Sequence, residues 1–320
     1  MELRQLRYFV GISEAGSLLK ASARLHVAQP SLSQQVAALE HAVGARLFDR
    51  SSRGITLTEA GKVFLEHAKV VLADVERARG AVRDSTAVVR GDVSIGLPTT
   101  VGLIATVPIL RACREQYPEV RLKIVEAYSG YVREWLQTGR LDLAILYGDN
   151  PDAGLHKRPL LDDRLVLVTS GRGPRPPKAL PLPSITRWPL VLPGREHGLR
   201  RLIDDACMPL GIELEVMAEI DALNSVKKAV EAGIGSTILP LGAVAEDIAA
   251  GRLRASAIER PSIVRRVFCA TSATRPTTAA GVAVINLLGD VLRSMVQRGE
   301  WPARWVGEPA PTARATPSDA

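Results

Sequence analysis

The first 45 residues carry apolar positions at helical spacing in three short blocks. In the first block Leu6, Phe9 and Ile12 fall on one stripe, as in an amphipathic helix with a single buried face. Gly44 follows the third block and is a typical helix C-terminal stop. The pattern therefore predicts three helices, over residues 3–15, 18–25 and 29–43.

The third predicted helix has an apolar face and a small, polar face. A helix that enters the major groove of DNA needs short or amide-bearing side chains in its N-terminal half, and its free amides favour phosphate. The alternative is a three-helix bundle whose outward face is merely solvated. The apolar arc expected to face the core is Leu32, Val36, Leu39 and Val43, and the candidate DNA-binding residues are Gln29, Pro30, Ser31, Ser33 and Gln34.

A β-rich stretch with a glycine turn follows over residues 45–58 and predicts a small wing. Arg50 and Arg53 lie beside the turn, where they are well placed to contact phosphates, which fix register without reading sequence. The alternative is that Arg50 pairs with Asp49 or Glu59 on the surface.

Nothing interrupts helicity strongly between residues 58 and 84, which predicts a helix roughly 40 Å long. Its apolar positions alternate at spacings of four and three, as in a coiled-coil seam, so we expect self-association. The alternative is that this stripe packs on the chain's own C-terminal domain. The predicted seam comprises Phe64, Ala68, Val71, Val75, Ala78 and Val82.

After Gly91 the pattern switches to strands that alternate with helices, which argues for mainly parallel sheets with ligands at the strand ends. We expect two lobes, with the terminal helix returning to the first lobe. The predicted strands cover residues 93–97, 120–126, 141–147, 165–169, 189–192, 214–218, 236–239 and 263–271, and the predicted helices cover 99–116, 199–210, 224–232, 243–250, 278–297 and a segment from about 131.

A cleft between such lobes collects helix N-termini, whose amides and positive dipole ends attract an anion or carboxylate. For Thr99, Ser129 and Asn224 the alternative to effector binding is simple N-capping, and the two roles can coexist. The candidate effector-binding residues are Thr99, Thr100, Ser129, His197 and Asn224.

Composition adds limited support. The chain has 41 Lys and Arg against 34 Asp and Glu, a net charge of +7 and a pI near 9.6, which favours polyanionic partners. The three cysteines form no CxxC pair, so we expect no disulfide framework, no metal and a reducing compartment. The sequence shows no apolar signal core and no uninterrupted apolar run of membrane-spanning length, which favours the cytoplasm and no membrane partner.

An enzyme is the first rival class, because the C-terminal half is α/β. The sequence has no GxSxG, Walker A or HExxH motif, and its five histidines show no metal spacing, so we expect neither catalysis nor a cofactor. A binding protein without DNA activity is the second rival, but it leaves the first 60 residues unexplained.

Residues 3–61 contain a long ordered series of motifs, which are Leu6-Arg7-Tyr8-Phe9, Gly16-Ser17, Ala21, Leu25, Val27, Gln29-Pro30-Ser31-Leu32-Ser33, Leu39-Glu40, Gly44, Leu47-Phe48, Arg50, Arg53-Gly54 and Leu57-Thr58-Glu59-Ala60-Gly61. In this series the segment resembles the DNA-binding domain of the LysR-type transcriptional regulators. In that family the third helix reads the major groove and the wing contacts the backbone, so the resemblance implies these roles for Gln29, Ser33, Gln34, Arg50 and Arg53. It also implies a dimer or tetramer formed through the long helix.

The second half is similar to the effector domain of the same family, which resembles periplasmic solute-binding proteins. The motifs are residues 91–96, 141–145 and 230–235, and the chain looks most like the nitrogen assimilation control subgroup. Ala28 departs from the family pattern because it offers no side-chain N-cap. We therefore expect Ala28→Ser to raise the stability of the DNA-binding domain.

The expected architecture is an all-α winged helix-turn-helix with a long linker helix, followed by a two-lobed α/β domain similar to periplasmic binding proteins. The expected partners are double-stranded DNA, a small anionic or carboxylate effector, and further copies of the chain in a homodimer or homotetramer. The expected boundaries are 1–58 for DNA binding, 59–90 for the linker helix, 91–300 for the effector domain (lobe I about 91–161 and 266–300, lobe II about 162–265) and 301–320 for a flexible tail.

Overall fold

A computed structural model describes residues 1–51, 54–83, 88–148 and 152–307. The chain divides into two compact units, one formed by Met1–Ala87 with Thr138–Arg140 and the other by Val88–Gln137 with Leu141–Ala320.

The N-terminal unit begins with three helices around one apolar core. Gly16 and Gly44 end the first and third helices in the left-handed conformation that glycine adopts without strain. Phe9 lies at the centre of the core, with its ring 5.0 Å from that of Phe48. The predicted blocks are confirmed as α1 (Leu3–Ala15), α2 (Leu18–Leu25) and α3 (Gln29–Val43).

A β-hairpin follows, as the wing prediction requires. Its strands are β1 (Phe48–Ser51) and β2 (Gly54–Leu57), paired antiparallel from Phe48 opposite Leu57 to Ser51 opposite Gly54. Residues 52 and 53 lie outside the described part of the chain.

The long helix α4 (Glu59–Arg83) starts against the wing. A Cβ on Gly61 would lie 2.0 Å from the carbonyl oxygen of Leu47, so only glycine allows this approach. Phe64 packs against Phe9 at 5.2 Å between ring centroids, and Ala68 is only 2% exposed in the same core. The seam prediction is therefore wrong for Ala68, which is buried in its own domain, while half-buried Phe64 also packs in that core.

The second unit opens with a parallel βαβαβ segment. Strand β3 pairs in parallel with both β4 and β5. The elements are β3 (Gly91–Pro98), α5 (Thr99–Gln116), β4 (Val120–Ala127), α6 (Ser129–Gln137) and β5 (Leu143–Tyr147).

The chain then enters the second lobe along one long strand. The elements are β6 (Leu155–Ser170), β7 (Ala179–Pro181), β8 (Leu190–Leu192), α7 (Gly198–Cys207), β9 (Val216–Glu219), α8 (Leu223–Glu231), β10 (Thr237–Pro240), α9 (Leu241–Ala249) and β11 (Leu253–Glu259). Short 3₁₀ turns cover Leu182–Arg187 and Met208–Leu210.

The return to the first lobe uses β12 (Val264–Ser272), α10 (Ala279–Gln297) and β13 (Ala303–Trp305). Strands β6 and β12 run antiparallel and cross between the lobes, where β6 continues into pairing with β10 and β11. The expectation of mainly parallel sheets is therefore wrong around these strands, and the resulting sheet is mixed. Each lobe has its own apolar core.

The predicted flexible tail begins too early. Trp301 is fully buried in the first lobe, and β13 pairs with β6. The tail prediction is wrong for residues 301–307, because an apolar side chain and a strand hold them against the sheet. Residues 308–320 lie outside the described part.

One described helix, α10, is long and apolar enough to cross a membrane by length and composition. Its Leu288 and Leu292 are completely buried in the core of the first lobe. Packing in that core accounts for its apolar character.

Candidate DNA-binding surface and effector cleft

The outward face of α3 is available for contacts. Gln29, Pro30, Ser31 and Gln34 are exposed and Ser33 is half-buried. The opposite face is fixed in the core through Leu32, Val36 and Leu39, which are at most 1% exposed. The predicted burial of Val43 is wrong, since this residue is 37% exposed. It lies in the last turn of the helix, beyond the core.

Side-chain hydrogen bonds fix the orientation of α3 within the unit. The Gln5 amide donates to Gln35 Oε1 at 3.3 Å and ties α3 to α1. Glu40 Oε1 accepts from the backbone amides of Leu47 and Phe48 at 2.7 and 3.0 Å and ties α3 to the wing. Sequence reasoning missed Glu40 as an organising residue, although a carboxylate near a helix end beside a strand was the available signal.

The wing arginines are only partly described. Arg50 lies in β1 opposite Ile55, but its side chain and the whole of Arg53 are outside the described residues. Glu59, which was one alternative partner for Arg50, pairs with Lys62 at 2.6 Å.

A cavity of about 620 Å³ opens between the two lobes of the second unit. Four of the predicted effector residues line it: Thr99, Thr100, Ser129 and His197. Asn224 does not line it. That prediction is wrong because the helix begins earlier than expected, with Ala222 as its N-cap, so that Leu223 and Val226 face the cavity instead.

N-capping does not account for Thr99, whose side chain does not cap α5. Pro98 occupies the N-cap of α5, and no side chain caps that helix. The Thr100 hydroxyl instead shares a 2.6 Å hydrogen bond with the hydroxyl of Tyr147. His197 caps α7, with its Nδ1 accepting from the amide of Leu199 at 3.1 Å.

Arg265 lines the cavity at the crossing strands and belongs to a buried charge pair. Arg265 is 5% exposed and donates to Asp163 Oδ2 at 2.8 Å and to Thr100 Oγ1 at 3.2 Å. Its guanidinium lies 3.8 Å from the ring centroid of Tyr147. Arg265 Nε and the hydroxyl of Thr237, both in the cavity lining, have no hydrogen-bond partner among the described residues.

Sequence reasoning missed this pair, although a signal exists. Asp162 and Asp163 lie between the apolar stretches 159–161 and 165–168 of β6, and Arg266 and Arg265 lie opposite them in β12. Opposite charges at facing positions beside apolar stretches indicate a buried pair.

Cationic side chains outnumber carboxylates in the lining. The cations are Arg133, Arg201, Arg265 and Arg266, and the carboxylates are Asp205 and Asp221. Burial and the nearby charge of Arg201 lower the pKa of Arg133, which pairs with Asp152. The guanidinium of Arg201 has no hydrogen-bond acceptor among the described residues. Two neighbouring guanidinium groups make the cavity favourable for an anion.

His197 lies between these charges. Burial lowers its pKa, and the charges of Arg265 and Arg201 lower it further against the opposing charge of Asp221. A histidine whose Nδ1 accepts an amide hydrogen bond carries its proton on Nε2. Its ring also contacts Tyr128 from the other lobe, with 5.2 Å between centroids.

Comparisons with known proteins agree with this geometry. Residues 3–62 match the family described as bacterial regulatory helix-turn-helix protein, lysR family, and residues 86–293 match the LysR substrate binding domain. The chain belongs to the LysR family of transcriptional regulators. Its relatives are DNA-binding regulators and not enzymes, as the sequence predicted.

Among the relatives of this LysR-type chain are nitrogen assimilation regulatory proteins, which confirms the subgroup prediction. The chain is 35% identical over 299 residues to the nitrogen assimilation regulatory protein nac of Klebsiella aerogenes, and the match covers 93% of this chain and 96% of that protein. Its identity to the nac protein of Escherichia coli K12 is 33%, covering 94% and 99%.

Solved structures share the fold. Full-length OxyR from Pseudomonas aeruginosa, in a variant form, superposes with a TM-score of 0.70 at 24% identity and covers 92% of this chain and 95% of that chain. Full-length CbnR complexed with its target DNA has a TM-score of 0.66 at 23% identity, covering 92% and 99%. These confirm the helix-turn-helix and two-lobed α/β architecture.

Proposed function

We propose that this LysR-type regulator is a cytoplasmic protein whose binding to double-stranded DNA is modulated by a small anionic effector, held between the two lobes. The observation that carries the proposal is the lining of the interlobe cavity. The guanidinium of Arg201, which has no acceptor among the described residues, Arg265 and the start of α7 all line the same space. Such an arrangement favours a carboxylate, phosphate or sulfate group.

The residues that line the cavity have distinct chemical roles. Arg201 and the amides near His197 bind the anionic group. Thr100 and Thr237 offer hydroxyls that hydrogen-bond a neutral polar group of the ligand, and Thr99 and Ser129 flank them at the helix starts of the first lobe. A ligand that touches both lobes at once stabilises one interlobe arrangement over others.

DNA binding is assigned to α3 and the wing. Gln29, Ser33 and Gln34 reach base edges, while the first turn at Pro30 and Ser31 approaches phosphate. Exposed amide and hydroxyl side chains on a helix fixed by its apolar face support the assignment. Arg50 and Arg53 contact the backbone from the wing.

Self-association is assigned to the rest of the α4 seam, as a homodimer or homotetramer. Val71 is 40% exposed, Val75 is half-buried and Ala78 is exposed, so these positions remain for a partner. The side chain of Val82 is outside the described residues. A monomer at micromolar concentration in light scattering would contradict this assignment.

The effector proposal is tested by thermal shift of the full-length protein against a panel of small carboxylates, phosphate and sulfate. At least one anion should raise the melting temperature and alter DNA binding at fixed salt. Arg201→Gln should weaken the apparent affinity by about tenfold or more, since a charge-assisted hydrogen bond contributes about 1.5–3 kcal/mol. Arg187→Gln, an exposed change outside the cavity, is the control. Equal affinities in the two variants would overturn the proposal.

A further inference from the structure

The segment after α10 lies across the crossing strand of the effector unit. We name residues 301–307 the hinge strap. The backbone amides of Val306 and Gly307 both donate to the carbonyl of Leu160 at 2.9 Å. The register pairs Ala303 with Asp163, Arg304 with Asp162 and Trp305 with Leu161.

These pairs fall where the sheet passes from one lobe to the other. Residues 155–164 of β6 pair with β12, and from Leu165 onward β6 pairs with β10 and β11 of the second lobe. Arg304 reaches Asp162 at 2.6 Å, and Arg266 reaches the same carboxylate at 2.7 Å. The hinge strap therefore adds a third strand and an ion pair to the connection between the lobes.

The hinge strap also contacts Asp163, the ion-pair partner of the cavity residue Arg265. Trp301 is fully buried, and its Nε1 lies 3.5 Å from Asp163 Oδ1. The other oxygen of Asp163 accepts from Arg265 at 2.8 Å, on the side that faces the cavity. A displacement of Trp301 would alter the support of Arg265.

Trp301 additionally meets the second lobe. A Cβ on Gly242, at the start of α9, would lie 3.3 Å from Trp301 Cδ1 and 3.0 Å from Ile104 Cδ1 of α5. Glycine therefore allows α9 to approach the first lobe and Trp301 closely. A larger residue here must displace the Ile104 side chain, the indole of Trp301 or the lobes themselves.

We propose that the hinge strap sets the angle between the lobes and the position of Arg265, with Trp301 and Asp163 as positioning residues for the cavity. A rotation of one lobe against the other must twist β6 and β12, and β13 with its ion pair resists that twist. A role of the hinge strap in effector binding rests on the proposed function, whereas its restraint of the interlobe angle does not.

The test measures the lobe-to-lobe distance in the full-length, ligand-free protein by electron spin resonance. Spin labels are placed by Gln116→Cys on α5 and Lys228→Cys on α8, both exposed, and labelled chains are diluted with unlabelled chains. The native cysteines are buried. Amide hydrogen exchange of residues 160–166 and 263–268 is followed in parallel.

Arg304→Ala, Trp301→Phe and Gly242→Val should each lengthen or broaden the distance distribution, and hydrogen exchange in both hinge segments should rise about tenfold. Arg304→Lys should restore the wild-type distribution, because it keeps the ion pair. The controls are Arg298→Ala, which removes a surface pair with Glu300, and Trp188→Phe in the second lobe.

Unchanged distances in Arg304→Ala, with faster exchange confined to residues 301–307, would overturn the proposal. This exposed substitution keeps the test decisive if Gly242→Val fails to fold. Both readouts are ligand-free, so the failure of every anion to bind would count against the proposed function and not against the hinge strap.

Discussion

Replacing Asp163 by asparagine isolates the buried pair at the cavity wall. Asp163 is completely buried and Arg265 is 5% exposed, with 2.8 Å between them. Removing one partner of such a pair leaves an uncompensated buried charge, which costs about 3–5 kcal/mol. For a domain of this size each kcal/mol lowers the melting temperature by about 2–4 °C, so a fall of roughly 6–20 °C is expected.

Asp204→Asn is the matched control, because its partner Arg200 is also 5% exposed. Arg200 has a second carboxylate, that of Glu219, at 3.1 Å, and it also donates to the carbonyl of Pro193 at 3.2 Å. The charge of Arg200 therefore stays compensated in Asp204→Asn, and the free energy of unfolding should fall by less than about 1.5 kcal/mol.

The assay is thermal unfolding of both variants with and without the best anion found in the effector screen. Arg265 faces the cavity, so a bound anion should recover more stability in Asp163→Asn than in the wild-type protein. Two results would refute this prediction: a loss of stability in Asp163→Asn no larger than in Asp204→Asn, or no gain of stability in Asp163→Asn from an anion that binds the wild type.

Three further predictions concern single side chains. Ala28→Ser should raise the stability of the DNA-binding domain by about 1 kcal/mol, because Ala28 is the N-cap of α3 and provides no side-chain acceptor; an unchanged or lower melting temperature would contradict this. The pKa of His197 is lower in the folded protein than in the unfolded chain, so as the pH falls the unfolded chain binds the proton at a higher pH. The neutral His197 side chain therefore contributes stability above about pH 6.5, and this contribution is lost as the pH falls from there toward the folded pKa. His197→Asn should flatten that part of the pH–stability profile, and an identical profile would refute the assignment. Burial raises the pKa of Cys207 and Cys269 to about 11, so both thiols should resist iodoacetamide at pH 7.5 until denaturant is added; rapid labelling of the folded protein would show the burial to be wrong.

Much of the fold follows from local patterns in the sequence. The period-3.6 stripes of α1 and α3, the glycine stop at Gly44 and the alternation of strands and helices after Gly91 each depend on neighbouring residues. Local spacing cannot show which distant segment covers an apolar side chain. That is why Phe64 and Ala68 were assigned to a partner, although they complete the core beneath α1.

The same limit applies to the cavity. Thr99, Thr100, Ser129 and His197 were found because helix starts can be read from local sequence. Arg265 was missed because its role depends on a pairing with Asp163, about a hundred residues away. Trp301 was placed in a tail because its proline- and alanine-rich surroundings resemble a linker, whereas burial in the first lobe decides its structure.

The central claim is that the outward face of α3 reads DNA sequence. It is tested most directly by the ratio of affinities for a selected genomic fragment and for random DNA of equal length, at one fixed salt concentration. The wild-type ratio should be at least about 10³, and the double change Ser33→Ala with Gln34→Ala should lower the ratio by at least about tenfold. The control is His41→Ala, which changes an exposed residue near the C-terminal end of the same helix and should leave the ratio unchanged. A wild-type ratio near one, with and without the anions of the effector screen, or an equal loss in the His41 variant, would contradict the account.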